Sequence, residues 1–357
     1  MAVLLNEIEW GEPILPAVAD PAWEAEVQGA LGAVFDLMRR VSPSPWVRAV
    51  QLGLFKQRAR AMPQRLADIG FLVTSQENAC RYCYGAAKAQ LRMLGYSERL
   101  IGKIEREAQV AELDEKERAF IQFCRNLARS KPRPIKAERQ ALLALGFAPL
   151  AVAEMAAWIV TVTFLNRVAT FIACPPEHGY EKMAGSLKVW LLRPLLARKA
   201  SAAPPAPANG EHAGAGPFGP IVRALDGLPA AKVLSDAFQG AFASPVLPRA
   251  TKALMFAVVA RSLACSFCEG EARKLLLAEG FTQADADAAL ATLESPRLDA
   301  RDASILAWTR DTVHYQPAPI QQHTRALAAE IGAAALIEAV GVAALANATV
   351  RLAMLIE

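Results

Sequence analysis

The feature that most constrains this chain is its similarity to itself at a displacement of 185 positions. The displacement superimposes two CxxC motifs, two glycine-marked turns and two proline-containing turns. Matched pairs are Pro63 and Pro248, Cys80 and Cys265, Cys83 and Cys268, Gly95 and Gly280, Asp114 and Asp299, Arg125 and Arg310, and, after a slip of one residue, Glu154 and Glu338, and Arg167 and Arg351. So many special residues in register predict a tandem duplication of one structural unit.

The composition and the spacing of breaks predict an all-α fold. Hydrophobic residues make up 54% of the 357 residues, helix formers predominate, and alternating β-branched runs are almost absent. Between the two copies, 15 of the 20 residues in 201–220 are Ala, Pro or Gly, which is typical of an extended linker. We therefore predict an N-terminal extension (1–47), repeat 1 (48–183), a basic helix with a Pro/Ala/Gly-rich linker (184–220) and repeat 2 (221–357).

Two apolar segments, 141–166 and 333–356, are long enough to suggest membrane spans. Gly146 and Pro149 interrupt the first segment, and each segment contains one acid, Glu154 or Glu338. Matched apolar helices with one acid each are more typical of core helices in a helical bundle, so we predict no membrane span. The N-terminus has no pattern of a secretory signal, and a net charge of +4 without a long basic run predicts no nucleic-acid partner. We expect a cytoplasmic protein.

Each copy places a CxxC motif at the start of a predicted helix. Free backbone N–H groups and the positive end of the helix dipole favour a thiolate there, and cysteines three residues apart can form a disulfide. The pattern favours a redox dithiol. A four-thiolate zinc site and inert remnants are the alternatives, although motifs whose first cysteines, Cys80 and Cys265, stand 185 positions apart do not have zinc-ribbon spacing. We predict no metal, and we expect Cys124 and Cys174 to be buried structural thiols.

Nearby charges distinguish the two motifs. Arg81 and Lys88 accompany the first motif and would stabilise a thiolate, whereas Glu269 and Glu271 accompany the second and would oppose it. The sequence therefore predicts that the first pair holds the better nucleophile.

Two acids precede the first motif and could accept its protons. Asp68 stands twelve residues before Cys80 and Glu77 three residues before it, whereas the second copy has Ala253 and Ser262 at these positions. The alternative for Asp68 is an ordinary solvated helix residue.

The order of helix, CxxC, glycine-ended helix, LDEKE-type helix start and apolar final helix resembles the AhpD-like fold of the carboxymuconolactone decarboxylase and alkylhydroperoxidase family, present twice. The resemblance covers about residues 48–175 and 233–357. Peroxidase members of that family have an acid twelve residues before the first cysteine and a histidine four residues after the second. Asp68, Cys80 and Cys83 match this pattern in copy 1, only Cys265 and Cys268 match it in copy 2, and Ala87 and Ala272 stand at the histidine positions.

The resemblance implies a thiol-dependent peroxidase or disulfide oxidoreductase without a cofactor. Cys83 would attack the substrate, Cys80 would resolve the product to a disulfide, and Asp68 would move protons. Cys265 and Cys268 would be a second site, and Glu77 and His178 are candidate auxiliary groups, although a histidine at such a position is more often an ordinary surface residue. The implied partners are a hydroperoxide or disulfide substrate and a dithiol reductant, and the implied assembly is a homo-oligomer, a dimer or trimer.

Two other functions stay open at the level of sequence. The missing histidines favour a non-catalytic binding or scaffold protein with vestigial CxxC pairs, and the four cysteines leave room for a metal-binding helical protein. The decarboxylase members of the family do not use this cysteine pair, so the CxxC motifs weigh against decarboxylation.

Overall fold

The chain is all-helical over the residues that the computed structural model describes, which are 3–106, 113–201, 216–293 and 297–357. The predicted fold class is confirmed. Most of the predicted linker lies outside the described residues. The first helices are α1 (Pro21–Leu31), α2 (Asp36–Val41), α3 (Pro45–Phe55), α4 (Gln64–Glu77), α5 (Arg81–Met93), α6 (Glu98–Glu105), α7 (Glu115–Arg129), α8 (Lys136–Ala144), α9 (Pro149–Phe171), α10 (His178–Ala184) and α11 (Leu187–Ser201).

The second part of the chain contains a similar succession of helices. Its helices are α12 (Gly219–Arg223), α13 (Pro229–Ala243), α14 (Arg249–Ser262), α15 (Ser266–Ala278), α16 (Gln283–Thr292), α17 (Ala300–Asp311), α18 (Pro317–Ile331) and α19 (Ala333–Leu352). Helices α4 to α7 begin at 64, 81, 98 and 115, and α14 to α17 begin at 249, 266, 283 and 300, a constant difference of 185. This regularity is what a duplication predicts, and the duplication itself stays a proposal.

Side-chain caps explain where α7 and α17 begin. The Asp114 carboxylate accepts from the Glu117 N–H at 2.7 Å, and the Glu117 carboxylate accepts from the Asp114 N–H at 3.2 Å, which completes the predicted capping box of α7. Asp299 caps α17 in the same way, but Asp302 accepts a hydrogen bond from Thr251 instead of closing a box. The acids at these helix starts are structural.

The long helices α9 and α19 pack against each other at the centre of the molecule, with α4 beside α9 and α14 beside α19. One continuous cluster of buried apolar side chains includes residues from both predicted repeats. Both helices are long and apolar enough to cross a membrane, but 83% and 89% of their most apolar windows are buried within the protein. They therefore have the surroundings of core helices.

The predicted basic segment after repeat 1 forms α11, which differs from the core helices in its exposure. Val189 is buried against the protein, whereas Leu187, Trp190, Leu191 and Leu195 are exposed. Helix α11 contacts α5 and α10, so it lies on the outer side of the first CxxC helix.

Candidate active site at two helix starts

Both CxxC motifs follow the same tight corner between two helices. After α4, the Ala79 N–H donates to Gln76 O and the Cys80 N–H donates to Ser75 O, and after α14 the N–H groups of Ala264 and Cys265 donate in the same way. This is a Schellman ending with alanine in the left-handed position, at φ +47° for Ala79 and +52° for Ala264. The corner places a cysteine directly before each following helix.

The first cysteine of each motif is the N-cap of that helix. The Cys83 N–H donates to Cys80 Sγ and the Cys268 N–H donates to Cys265 Sγ, both at 3.4 Å. All four thiols are free and buried, with exposures of 0%, 2%, 1% and 0% for Cys80, Cys83, Cys265 and Cys268. The backbone therefore favours a thiolate on the first cysteine of each pair, because that sulfur receives the N–H bond.

Neutral polar groups surround the first pair. Burial opposes ionisation of Cys80, but hydrogen bonds from the Cys83 thiol and N–H outweigh it and lower the pKa of Cys80. Burial, together with the hydrogen bond to Cys80, raises the pKa of the Cys83 thiol well above its usual range, despite an opposing contribution from Asn166. The stabilised sulfur is thus Cys80, whereas the family resemblance assigns the attack to Cys83.

Helix α10 covers the beginning of α5. The Arg81 guanidinium donates to both carboxylate oxygens of Glu181, at 2.7 and 3.1 Å, and the Tyr82 hydroxyl donates to Glu177 at 3.3 Å. Gly85 permits this close approach, since a Cβ atom at that position would lie 2.1 Å from Glu181 Oε1. The sequence suggests Arg81 as a thiolate stabiliser, but its guanidinium instead holds α10 against α5 through Glu181.

Asp68 lies in a separate polar cluster. Its carboxylate accepts from Gln64 at 3.0 Å and from Gln90 and Tyr96 at 3.4 Å. Burial raises the pKa of Asp68 to about 6, although these hydrogen bonds act in the opposite direction. Gln90 lies seven residues beyond Cys83, or about 10 Å along the helix. Within the described residues, no hydrogen bond joins Asp68 to either cysteine of the first pair.

The two auxiliary candidates also lie apart from the sulfurs. The Glu77 carboxylate is buried between Arg125 at 3.1 Å and Arg129 at 2.5 Å, where it ties α4 to α7. His178 is exposed at the first residue of α10, on the cover. Ala87 and Ala272 are buried within their helices and supply no proton carrier.

The second pair meets charged side chains that its own motif does not contain. Cys265 Sγ lies 3.6 Å from Glu357 Oε1. Both oxygens of this carboxylate accept from the Arg133 guanidinium at 2.8 Å, and Arg133 Nε donates to Leu263 O at 3.2 Å. The Glu357 side chain is 24% exposed, and Ala264 and Ser266, which flank Cys265, are exposed as well. This sulfur therefore lies close to solvent and to a carboxylate.

These contacts set the ionisation of the second pair. The hydrogen bond from the Cys268 thiol lowers the pKa of Cys265 against the effect of burial, the Cys268 N–H and Arg133 lower it further, and Glu357 raises it. The hydrogen bond to Cys265, together with burial, raises the pKa of Cys268 well above its usual range.

The acids that the sequence suggests as opponents of this thiolate are bound elsewhere. Glu269 pairs with Arg261 at 2.8 Å and Arg273 at 2.9 Å, and Glu271 pairs with Lys274 at 2.5 Å. Lys88 of the first copy likewise pairs with Glu105 at 2.8 Å. Proximity along the chain therefore did not identify the charges that act on either pair.

The remaining two cysteines lie apart from the CxxC motifs. Cys124 and Cys174 are fully buried, as expected for structural thiols. Across the ranges that the structure describes, no group of three or more His, Cys, Asp or Glu side chains is arranged to hold a metal ion. The geometry thus gives the four-thiolate hypothesis no support.

No protein-family model matches the chain, and no curated protein matches it. The likeness to the alkylhydroperoxidase family accordingly rests on the motif residues.

Arg133 and Glu357 are the site residues that sequence reasoning missed. A usable signal was present, because the internal alignment places Ala318 opposite Arg133 and, after the slip of one residue, Ala173 opposite Glu357. A residue that is charged in one copy and alanine in the other marks a place where the copies differ in chemistry.

Proposed function

We propose that the protein is a two-cysteine thiol oxidoreductase that reduces hydroperoxides or disulfides and is regenerated by a dithiol reductant. The observation that carries the proposal is the N-cap geometry shared by Cys80 and Cys265, which directs the N–H of the paired cysteine at the first sulfur. A helix start of this kind favours a thiolate and keeps a resolving thiol one turn away.

The sequence predicts that the pair formed by Cys80 and Cys83 does the chemistry, and this stays a prediction. Both thiols are buried, so contact with a substrate requires the structure around the start of α5 to open. Asp68 would act as a proton carrier only through intervening groups, because its hydrogen bonds are to Gln64, Gln90 and Tyr96.

The burial of all four thiols favours a second candidate, a non-catalytic binding or scaffold protein. An apolar cavity between α3, α9, α13 and α19 is lined by residues such as Leu54, Phe164 and Leu234 and would suit an apolar ligand. In that case the CxxC corners are retained for packing alone.

Thiol titration distinguishes the two functions. The reduced full-length protein is treated with one equivalent of an alkyl hydroperoxide, its remaining thiols are alkylated in denaturant, and disulfides are mapped by mass spectrometry. The enzyme should lose two of its six thiols for the one equivalent of hydroperoxide that it consumes and recover them with a dithiol. Six unchanged thiols would favour the scaffold.

The resemblance also supports a homo-oligomer, a dimer or trimer, in the cytoplasm. Light scattering on the purified chain measures the oligomeric state, and a monomer across the working concentration range would contradict this part of the proposal.

A further inference from the structure

The second CxxC pair is the only one of the two, within the described part of the chain, whose sulfur contacts a carboxylate. Resting on the proposed thiol oxidoreductase function, we infer that Cys265, Cys268 and Glu357 form a catalytic site for alkyl hydroperoxides, with Arg133 as its positioning residue. Neither the CxxC spacing nor the family pattern supplies these two charged groups, because they come from the loop after α7 and from the last residue of the sequence.

Cys265 is the attacking sulfur in this site. It caps α15, receives the Cys268 N–H and lies between two exposed residues, Ala264 and Ser266. Cys268 lies within the first turn of α15 and is fully buried. The sulfur that lies between exposed residues is therefore also the one whose thiolate the helix start stabilises.

Glu357 provides a route for protons. One of its oxygens lies 3.6 Å from Cys265 Sγ while the side chain reaches solvent. Arg133 holds both oxygens and is itself fixed by Leu263 O, two residues before Cys265. The carboxylate is thus held beside the sulfur by a bidentate pair, which constrains its orientation as well as its position.

The reaction in this site balances as follows. Cys265 gives its proton to Glu357, and the resulting thiolate attacks the terminal oxygen of ROOH. An S–O bond forms and the O–O bond breaks. The alkoxide takes the proton from Glu357 and leaves as ROH. Cys268 sulfur then attacks the sulfenic sulfur of Cys265; an S–S bond forms, and hydroxide leaves with the Cys268 proton as water. The pair has lost two electrons, which a dithiol returns by disulfide exchange.

Time-resolved mapping of disulfides in the full-length wild-type protein tests the location of the chemistry. With cumene hydroperoxide, the disulfide between Cys265 and Cys268 should form at least tenfold faster than the one between Cys80 and Cys83. Formation of the Cys80–Cys83 disulfide alone would overturn the inference and leave the proposed function standing. Absence of both disulfides would overturn the proposed function and the inference with it.

The variant Glu357→Gln tests the proton carrier. Disulfide formation with cumene hydroperoxide should slow at least tenfold, because the alkoxide loses its proton donor. Reaction with an activated aromatic disulfide, whose leaving thiolate needs no proton, should slow much less. Glu269→Gln, which changes an acid next to Cys268 that is paired with Arg261 and Arg273, serves as the control and should stay within twofold of wild type. Equal slowing with both substrates would indicate a merely structural role and overturn the assignment.

The pH dependence of Cys265 alkylation separates the two charged residues. Glu357→Gln should move the profile to lower pH, since a negative charge beside the thiolate is removed, and Arg133→Met should move it to higher pH, since a positive charge is removed. Arg133→Lys should restore most of the second shift. A general loosening of the corner would move both profiles in the same direction, and that result would contradict the inferred roles.

Discussion

In both halves of the molecule, the carbonyl two residues before the first cysteine accepts a hydrogen bond from the opposite half. Asn78 O receives the Tyr315 hydroxyl at 3.0 Å, and Leu263 O receives Arg133 Nε at 3.2 Å. These carbonyls are 185 positions apart, and the donors come from corresponding connections of the other half, Tyr315 from the one between α17 and α18 and Arg133 from the one between α7 and α8. The shared backbone thus forms the dithiol corner, and the opposite half determines whether a phenol or a guanidinium stands beside it.

The two sites differ in the structure beside them as well as in charge. Helix α10 packs over the start of α5 through the contacts of Glu181 with Arg81 and of Glu177 with Tyr82, whereas exposed residues flank Cys265. The first pair lies among neutral groups on a helix that α10 contacts, and the second pair lies beside a carboxylate and between exposed residues. We therefore expect the two pairs to react at different rates with the same substrate. The comparison therefore predicts that the halves are not redundant.

The largest expected effect concerns Glu338 in α19, the counterpart of Glu154 in α9. Glu338 accepts from Trp46 at 2.6 Å and pairs with Lys252 at 2.7 Å, and both charged side chains are 1% exposed. Glu338→Gln leaves a buried ammonium without its counter-charge, so we expect a loss of about 3–5 kcal/mol in the free energy of unfolding. Urea denaturation measures it, and Lys252→Met in the Glu338→Gln background should recover most of the loss.

Glu154 provides the matched control for that prediction. Its carboxylate accepts from the backbone N–H groups of Arg60, Ala61 and Met62, so the change to an amide keeps an acceptor for these donors. Glu154→Gln should therefore cost about 1–3 kcal/mol, less than the change at Glu338. A larger loss at Glu154 would show that the two halves are stabilised in the reverse order.

The second expected effect distinguishes Asp68 from Ala253, its counterpart. Burial raises the folded-state pKa of Asp68 to about 6, above the unfolded value near 4, so its favourable contribution is complete below pH 4 and is lost as the pH rises through 6. Asp68→Asn should remove this loss and raise the free energy of unfolding at pH 7 by about 2 kcal/mol, with little change at pH 4. Asp236→Asn, at an exposed acid, should keep the wild-type pH dependence.

Much of the fold could be predicted because its signals are local. The glycine-marked turns at Gly95 and Gly146, the Asp114 cap and the interruption at Pro149 each act within one or two helical turns, and the structure places helix ends there. The apolar helices α9 and α19 could be recognised as core by their single acids, whose partners the sequence could not name.

The electrostatics of the site could not be predicted, since it depends on contacts between distant segments. Cys265 and Arg133 are 132 positions apart, and Arg81 and Glu181 are 100 positions apart. Charged residues next to a cysteine, such as Glu269, found other partners because long side chains reach across neighbouring helices and turns. Sequence proximity is a weak guide to the charge that a sulfur experiences.

The smallest expected effect tests the cover over the first pair. Glu181→Gln replaces the ion pair with Arg81 by a weaker hydrogen bond, which should favour opening of α10 by about 1 kcal/mol. Since alkylation of a covered thiol follows the population of the open form, native-state labelling of Cys83 by iodoacetamide should then accelerate about fivefold. Mass spectrometry of quenched samples measures the rate, with Cys268 in the same sample as an internal reference that should not change.

Glu98→Gln is the matched control for the contact between α10 and α5. Glu98, the first residue of α6, pairs at 2.6 Å with Arg92, which lies at the end of α5 away from the cysteines. This variant should leave the labelling of Cys83 unchanged. Gly85→Ala should accelerate labelling more than Glu181→Gln does, because its Cβ atom would occupy the space of Glu181 Oε1 and displace α10 directly. If both variants label Cys83 at the wild-type rate, α10 does not limit access, and the difference between the two sites must come from charge alone.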